Sequence, residues 1–321
     1  MSRTPATVTV IVPGFDVAPY AQEALDSLRA QTLTDWTAVL IDDASHDATG
    51  AIFAAAAAAD PRFRVVTQDR RRGLGAARNA GLDLVDTEFV AFLDADDVLR
   101  PGALERLVDT LRESGSDFAA GAYVRLRPDG DEYVEGEVQP WVSSATSPER
   151  RGTTIDAHPD ASSNIVAWSK VSRASFWHRT RLRFPEGKLY EDQVVAQRMY
   201  SGAASFDVVP DVVVLWRVRA DGSSITQREA ALPVLRECLE AMAAGLAVLE
   251  DGGHAAAAAA RRRQILGMDV PRLAGIAAQH SEDAYRSALG SFTRDIWDAA
   301  GAERAELTEA SATAVAAARL W

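Results

Sequence analysis

The sequence predicts an α/β fold: a mostly parallel sheet flanked by helices, followed by a helical C-terminal appendage. Over the first 120 residues, continuous apolar runs alternate with segments of helical period, and beyond residue 227 only the helical period remains. Polar residues collect where the apolar runs end, the edge at which open parallel sheets bind ligands.

The elements follow in order. VTVIVPGF (8–15) is a buried strand closed by Pro-Gly, and APYAQEALDSLRAQT (18–32) has apolar residues at helical spacing. WTAVLIDDAS (36–45) is a second strand ending in Asp42 and Asp43, with Asp43 read as a turn residue. HDATGAIFAAAAAAD (46–60) is a helix with Asp47 or Thr49 as its cap. FRVVTQD (63–69) and EFVAFLDADD (88–97) are further strands, separated by the helix LGAARNAGLDLV (74–85). DFAAGAYVRLRPDGDEYVEG (117–136) reads as a hairpin turning at Pro128-Asp129-Gly130. A polar loop (143–163) leads to NIVAWSK (164–170), the helix in YEDQVVAQRMYSGA (190–203), and strand pieces in SFDVVPDVVVLWRVR (205–219). The helices after 227 are broken at Gly252-Gly253-His254 and at Pro271. Residues 1–227 are thus expected to form the catalytic domain and 228–321 a helical region.

Composition narrows the classes. Hydrophobic residues make up 47% and charged residues 25%, a globular balance. A net charge of −12 and a pI near 5.0 argue against nucleic-acid binding, and the short arginine clusters (70–72, 150–151, 261–263) read as solvated faces. The single cysteine, Cys238, excludes an internal disulfide framework and sits in a helical pattern, as a core residue would. No apolar run approaches the ~20 residues of a membrane span. The expected location is cytoplasmic, and the helical tail admits a peripheral place at the inner face of a membrane or homo-oligomerisation.

Three carboxylates, Asp94, Asp96 and Asp97, end the fourth strand within four residues. Their mutual repulsion calls for a cation, most simply a divalent metal; Asp97 is expected to cap the helix that follows. A dinucleotide site is excluded because PGFDVAPY lacks the glycine pattern, and GLGAAR (73–78) follows the third strand with Arg78 in the sixth place. A phosphohydrolase with an aspartate nucleophile fits FLDADD locally. That chemistry wants the motif on the first strand and a lysine in the site, and the chain has only Lys170 and Lys188. A non-catalytic sugar-nucleotide or glycan-binding module is a further alternative.

VTVIVPGFDVAPYAQEALDSLRAQT, VLIDDASHDATG, RRGLGAARNAGLDLVDTEFVAFLDADDVLRPGAL and PEGKLYEDQ, in that order and over residues 6–227, resemble the inverting glycosyltransferases of family 2. The resemblance implies the GT-A fold, a Rossmann-like sheet flanked by helices, with a UDP-sugar donor and Mn²⁺ or Mg²⁺. It implies that Asp96 binds the metal with Asp94 beside it. Asp42 would take the uracil N–H, Pro13 and Phe15 would line the base pocket, and Arg78 with Asn79 would approach the phosphates. It places the general base at Asp192, with Glu191 orienting the loop or acceptor. Where the family commonly has Tyr then Asn, this chain has Phe15 and Asp16. LWRVRADGSSITQ (215–227) resembles a stretch of the enzymes that glycosylate teichoic acids and related polyol-phosphate polymers. That implies donor or acceptor contacts for Arg217, Arg219, Ser224 and Thr226, and NIVAWSK implies an acceptor-side Trp168. The implied acceptor is a glycan, a polyol-phosphate polymer or a lipid-linked intermediate. Arg179, Arg181, Arg183, Arg217 and Arg219 are candidates for its phosphate.

Overall fold

A computed structural model describes residues 6–130 and 132–321. Ten strands form one sheet: β1 (Val8–Gly14), β2 (Trp36–Asp42), β3 (Phe63–Thr67), β4 (Phe89–Phe92), β5 (Val98–Leu99), β6 (Phe118–Asp129), β7 (Glu132–Glu135), β8 (Arg150–Thr153), β9 (Lys170–Arg173) and β10 (Phe206–Arg217). Their order is β3-β2-β1-β4-β9-β6-β10-β5, with β7 pairing β6 and β8 pairing β10. β1 to β4 are parallel, β9 runs antiparallel between β4 and β6, and β10 is parallel to β6. β1, β2 and β4 are covered on both faces and therefore apolar almost throughout.

The helices of the sheet region are α1 (Ala18–Arg29), α2 (Thr49–Ala59), α3 (Leu74–Leu82), α4 (Ala103–Ser114), α5 (Pro140–Thr146), α6 (Ala174–Thr180) and α7 (Glu191–Gly202). Beyond them lie α8 (Leu232–Asp251), α9 (Ala255–Gln264), α10 (Val270–Ala277), α11 (Asp283–Ala299) and α12 (Glu309–Ala318). One apolar core runs from the sheet residues through Tyr200 and Met199 of α7 into Leu235, Leu246, Ile265 and Leu289 of the C-terminal helices. No helix among the described residues is long and apolar enough to cross a membrane.

Five local expectations change. Asp97 does not cap a helix: α4 starts at Ala103 behind Gly102, and the Asp97 carboxylate accepts from the backbone N–H of Arg217 at 2.8 Å. The 205–219 pieces are one strand, whose ladder shifts register around Pro210-Asp211 because proline has no N–H to give it. Pro271 does not break the helix: a π turn at Ile265–Asp269 joins α9 to α10 and absorbs the missing donor. In the β6–β7 hairpin, Pro128 and Asp129 still pair with Tyr133 and Glu132, so the turn falls beyond them. At the start of α2 the N-cap position is Ala48, not Asp47 or Thr49, and Asp47 just before it accepts from the Thr49 N–H and hydroxyl.

Candidate active site

The C-terminal ends of β1, β2 and β4, the loop before α3 and the start of α7 converge on one edge. Backbone strain collects there: Asp16, Ala44 and Tyr190 all have positive φ (49°, 60° and 56°), following β1, following β2 and immediately preceding Glu191. Non-glycine residues held this way cluster at functional sites.

Arg78 organises the centre. Its side chain is 1% exposed and donates to Asp94 Oδ1 at 2.7 Å and, through Nη1, to Glu191 Oε1. One buried guanidinium thus ties the β4 carboxylates to the helix that carries Glu191 and Asp192. The next residue does similar work: Asn79 donates to the Phe184 carbonyl and accepts from the Phe184 N–H, both at 2.9 Å. Gly75 permits the approach, because a Cβ there would stand 2.1 Å from the Pro185 carbonyl oxygen. Gly75 of GLGAAR therefore serves helix packing, Gly73 supplies the positive φ (89°) before α3, and Arg78 and Asn79, expected near the phosphates, tie down the 184–191 segment.

Glu191 is buried, and burial drives its carboxyl pKa up against the pull of Arg78. Asp192 is half-buried, and its carboxylate accepts no side-chain or loop hydrogen bond among the described residues. Burial raises its pKa, Arg78 opposes this, and Asp94 adds to it. Of the two acids, Asp192 is the more exposed and the one not bonded to Arg78.

Asp96 Oδ2 accepts from Arg219 Nε at 2.7 Å. Burial pushes the Asp96 carboxyl up, Arg219 pulls it down, and Asp94 pushes it up again. Asp94 Oδ2 and Asp96 Oδ1 are left without side-chain hydrogen-bond partners among the described residues. Among those residues no three His, Cys, Asp or Glu side chains are arranged to hold a metal. Two carboxylates with an oxygen each to give suit Mg²⁺ or Mn²⁺ drawing its remaining ligands from a phosphate and water. The residues therefore fit such an ion at Asp94 and Asp96.

Arg217 is 2% exposed and held at two of its nitrogens: Nε donates to the Asp96 carbonyl at 2.8 Å and Nη2 to Glu23 at 2.5 Å. It braces the carboxylate loop through these two bonds. Ser224 opens a short 3₁₀ turn (Ile225–Arg228) and is half-buried, while Thr226 is exposed. Arg179 and Arg183 pair with Asp117 and Asp83, leaving Arg181 as the member of that trio without an ion pair among the described residues.

At the β2 end, Asp42 is 5% exposed and accepts from the Ser45 N–H at 3.0 Å. Asp43, read as a turn residue, accepts from the N–H groups of Arg72 and Gly73, both at 2.8 Å, and so anchors the loop before α3. Pro13 is buried in β1. The half-buried Phe15 ring lies 3.9 Å from the Arg71 guanidinium and meets His46 edge-on at 5.8 Å. Trp168 is 5% exposed, beneath Tyr123 and Trp216 with ring centroids at 4.8 and 6.2 Å. The accessible aromatic surfaces there belong to Trp141 and to Trp216, which lies within LWRVRADGSSITQ but is given no role by the resemblance.

Lys170 ends the NIVAWSK segment and is given no role in the site by the resemblance. Its buried ammonium donates to the Asn164 carbonyl (2.8 Å) and Oδ1 (2.9 Å) and to the Val166 carbonyl (2.6 Å), closing the 164–170 loop. Burial pushes its pKa down to about 7 from the ordinary 10.5, with Asp192 opposing. Between those values the unfolded chain binds more protons than the folded one, so this group's contribution to stability rises with pH across that window. Lys170→Met should remove the rise and cost about 1–3 kcal/mol by orphaning buried acceptors. Urea unfolding at pH 7.5 and 9.5 checks both; an unchanged pH slope would refute the assignment.

The glycosyl transferase family 2 model matches residues 9–176, just over half of the chain. EpsH of Bacillus subtilis (strain 168) is 30% identical over 229 residues, covering 70% of this chain and 64% of EpsH. Glycosyltransferase GlyA of Streptococcus pneumoniae serotype 4 is 28% identical over 259 residues, covering 77% of this chain and 35% of GlyA. The chain thus spans less than two thirds of either relative. The crystal structure of S. aureus TarS residues 1–349 with UDP-GlcNAc superposes with a TM-score of 0.74 at 20% identity, covering 98% of this chain and 92% of that one. At that identity the likeness is one of fold, the GT-A arrangement. The ordered strand-end motifs, the two carboxylates after β4 and the family match over β1 to α6 agree, and the chain belongs to glycosyl transferase family 2.

Proposed function

We propose that the chain is a metal-dependent inverting glycosyltransferase moving a sugar from a UDP-sugar to a hydroxyl of a cell-surface polysaccharide or polyol-phosphate polymer. The observation that carries this reading is the Arg78 bridge, which fixes the Asp94 end of β4 and the Glu191-Asp192 start of α7 as one unit. Donor and acceptor chemistry are thereby held in register. UDP is favoured by the likeness in fold to TarS residues 1–349, whose crystal structure holds UDP-GlcNAc.

Asp94 and Asp96 would hold Mn²⁺ or Mg²⁺, which supplies neutralisation of the charge that grows on the departing diphosphate. Asp192 accepts the proton of the acceptor hydroxyl while that oxygen bonds to the anomeric carbon. The bond from that carbon to the diphosphate oxygen breaks on the opposite face, and UDP carries away the electron pair. The α7 N-terminus, with Glu191 and Asp192 in its first turn, favours the ionised base. Arg219, which donates to Asp96 through Nε and to Ser223 through Nη1, keeps Nη2 for a phosphate.

The test is thermal unfolding with UDP and with a panel of nucleotide sugars. UDP should stabilise the protein more with Mn²⁺ than with EDTA, by about 1.4 kcal/mol for each tenfold gain in affinity, and Asp96→Ala should abolish the difference. Equal stabilisation in both buffers would remove the metal from the mechanism; stabilisation by another nucleotide in place of UDP would replace the donor.

A further inference from the structure

Arg125 has no part in the mechanism above, yet its setting is unusual. It lies near the C-terminal end of β6, level with Trp216 of β10 in the parallel ladder. Its guanidinium carbon is 5.1 Å from the Trp216 ring and 5.9 Å from the Trp141 ring of α5. It is half-buried, and among the described residues no carboxylate or carbonyl accepts a hydrogen bond from it. The nearest charge on its own strand is a like one: Arg127, two residues on and projecting from the same face, pushes its pKa down further after burial has done so.

An arginine flanked by aromatic faces is held in orientation while its in-plane N–H donors stay unspent, the geometry that grips a carboxylate or phosphate through two parallel bonds. Desolvating a cation beside a second cation costs free energy, and among the described residues no acid pairs with Arg125 to compensate it. The position is also telling. Tyr123 shares the face, and its hydroxyl lies within the fields of Arg125, Asp192 and Arg261. Trp216 directly precedes Arg217, the brace of the Asp96-Asp97 loop. Successive strand residues point to opposite faces, so Arg125 and Trp216 project away from the carboxylate loop.

We propose that Arg125, clamped between Trp141 and Trp216, is an acceptor-recognition residue that grips the anionic group, phosphate or carboxylate, of an acidic acceptor unit. Bidentate capture of that group would set the neighbouring hydroxyl before Asp192, and the two indole rings would border the unit's carbon skeleton. Arg127, exposed beside it, adds attraction but no fixed geometry. The proposal rests on the glycosyltransferase reading and names the group by which its acceptor would be read.

The experiment is direct binding, followed by tryptophan fluorescence because two indoles border the site. It needs no donor turnover, so its outcome is separate from the UDP test. The probes are a polyol-phosphate oligomer, a uronic-acid oligosaccharide and a neutral oligosaccharide of similar length. The wild type should bind one of the acidic probes at least tenfold more tightly than the neutral one, less tightly as salt rises. Arg125→Gln should erase that preference, leaving the neutral probe and UDP stabilisation unchanged, and the probe that loses affinity identifies phosphate or carboxylate as the group read. Arg125→Lys, which keeps the charge but not the planar fork, should lose severalfold and serves if the Gln variant unfolds. Equal binding of all three probes by the wild type, or Arg125→Gln or Arg125→Lys binding the acidic probe as the wild type does, would overturn the proposal. So would an equal loss for acidic and neutral probes, which would make the stack a purely structural clamp.

Discussion

Asp192→Asn should lose sugar transfer by about 10²–10⁴-fold while retaining UDP-sugar binding, because amide nitrogen and oxygen keep the shape but cannot take a proton. The geometry singles out Asp192 over its neighbour. Glu191 is buried and bonded to Arg78, whereas Asp192 is half-buried and not bonded to Arg78. Steady-state kinetics with a thermal-shift measurement of UDP-sugar affinity separate the two effects. Asp42→Ala should show the reverse pattern, weaker donor binding with chemistry intact at saturation. Transfer by Asp192→Asn within a few-fold of the wild type would place the base elsewhere.

Arg78→Leu should destabilise the fold by about 3–5 kcal/mol, the usual consequence of removing one partner of a buried ion pair. The substitution leaves Glu191 buried without a counter-charge and releases Asp94 from its 2.7 Å contact. The deficit should shrink toward acid pH. A buried carboxyl with a raised folded-state pKa loses stability as pH rises above its unfolded value near 4.5, and in acid both states are protonated. Arg78→Leu combined with Glu191→Leu should recover much of the loss, since both charges then leave the interior together. Urea titrations at pH 5 and 8 check these expectations; a loss below about 1 kcal/mol at pH 8 would mean that solvent reaches the pair.

Strand-end chemistry was legible because it follows from local rules. Buried parallel strands read as unbroken apolar runs, and polar residues at their C-terminal ends face the ligand edge. That is why Asp42, Asp94 and Asp96 could be placed at that edge in advance, whereas Asp192, in the first turn of α7, comes only from the resemblance to family 2. Where expectations failed, a distant residue decided the outcome. Asp97 is turned inward by the Arg217 N–H, 120 residues away, and Arg78 is drawn beneath the site by Asp94 and Glu191 together. Asp43 holds the loop before α3 because that loop crosses its strand end.

By itself the sequence determined the α/β class, the family and the edge at which the acids gather, all written in period and order along the chain. Tertiary structure alone decided which acid is the more exposed, which arginines are paired and which aromatic faces are exposed. Arg78, Arg217 and Arg125 illustrate the physical reason. They are the same residue type, yet one bridges two carboxylates, one braces a loop and one lies unpaired between indoles. A guanidinium's role is set by the acceptors that other elements bring within about 3 Å of it, and nothing in its neighbouring sequence specifies those.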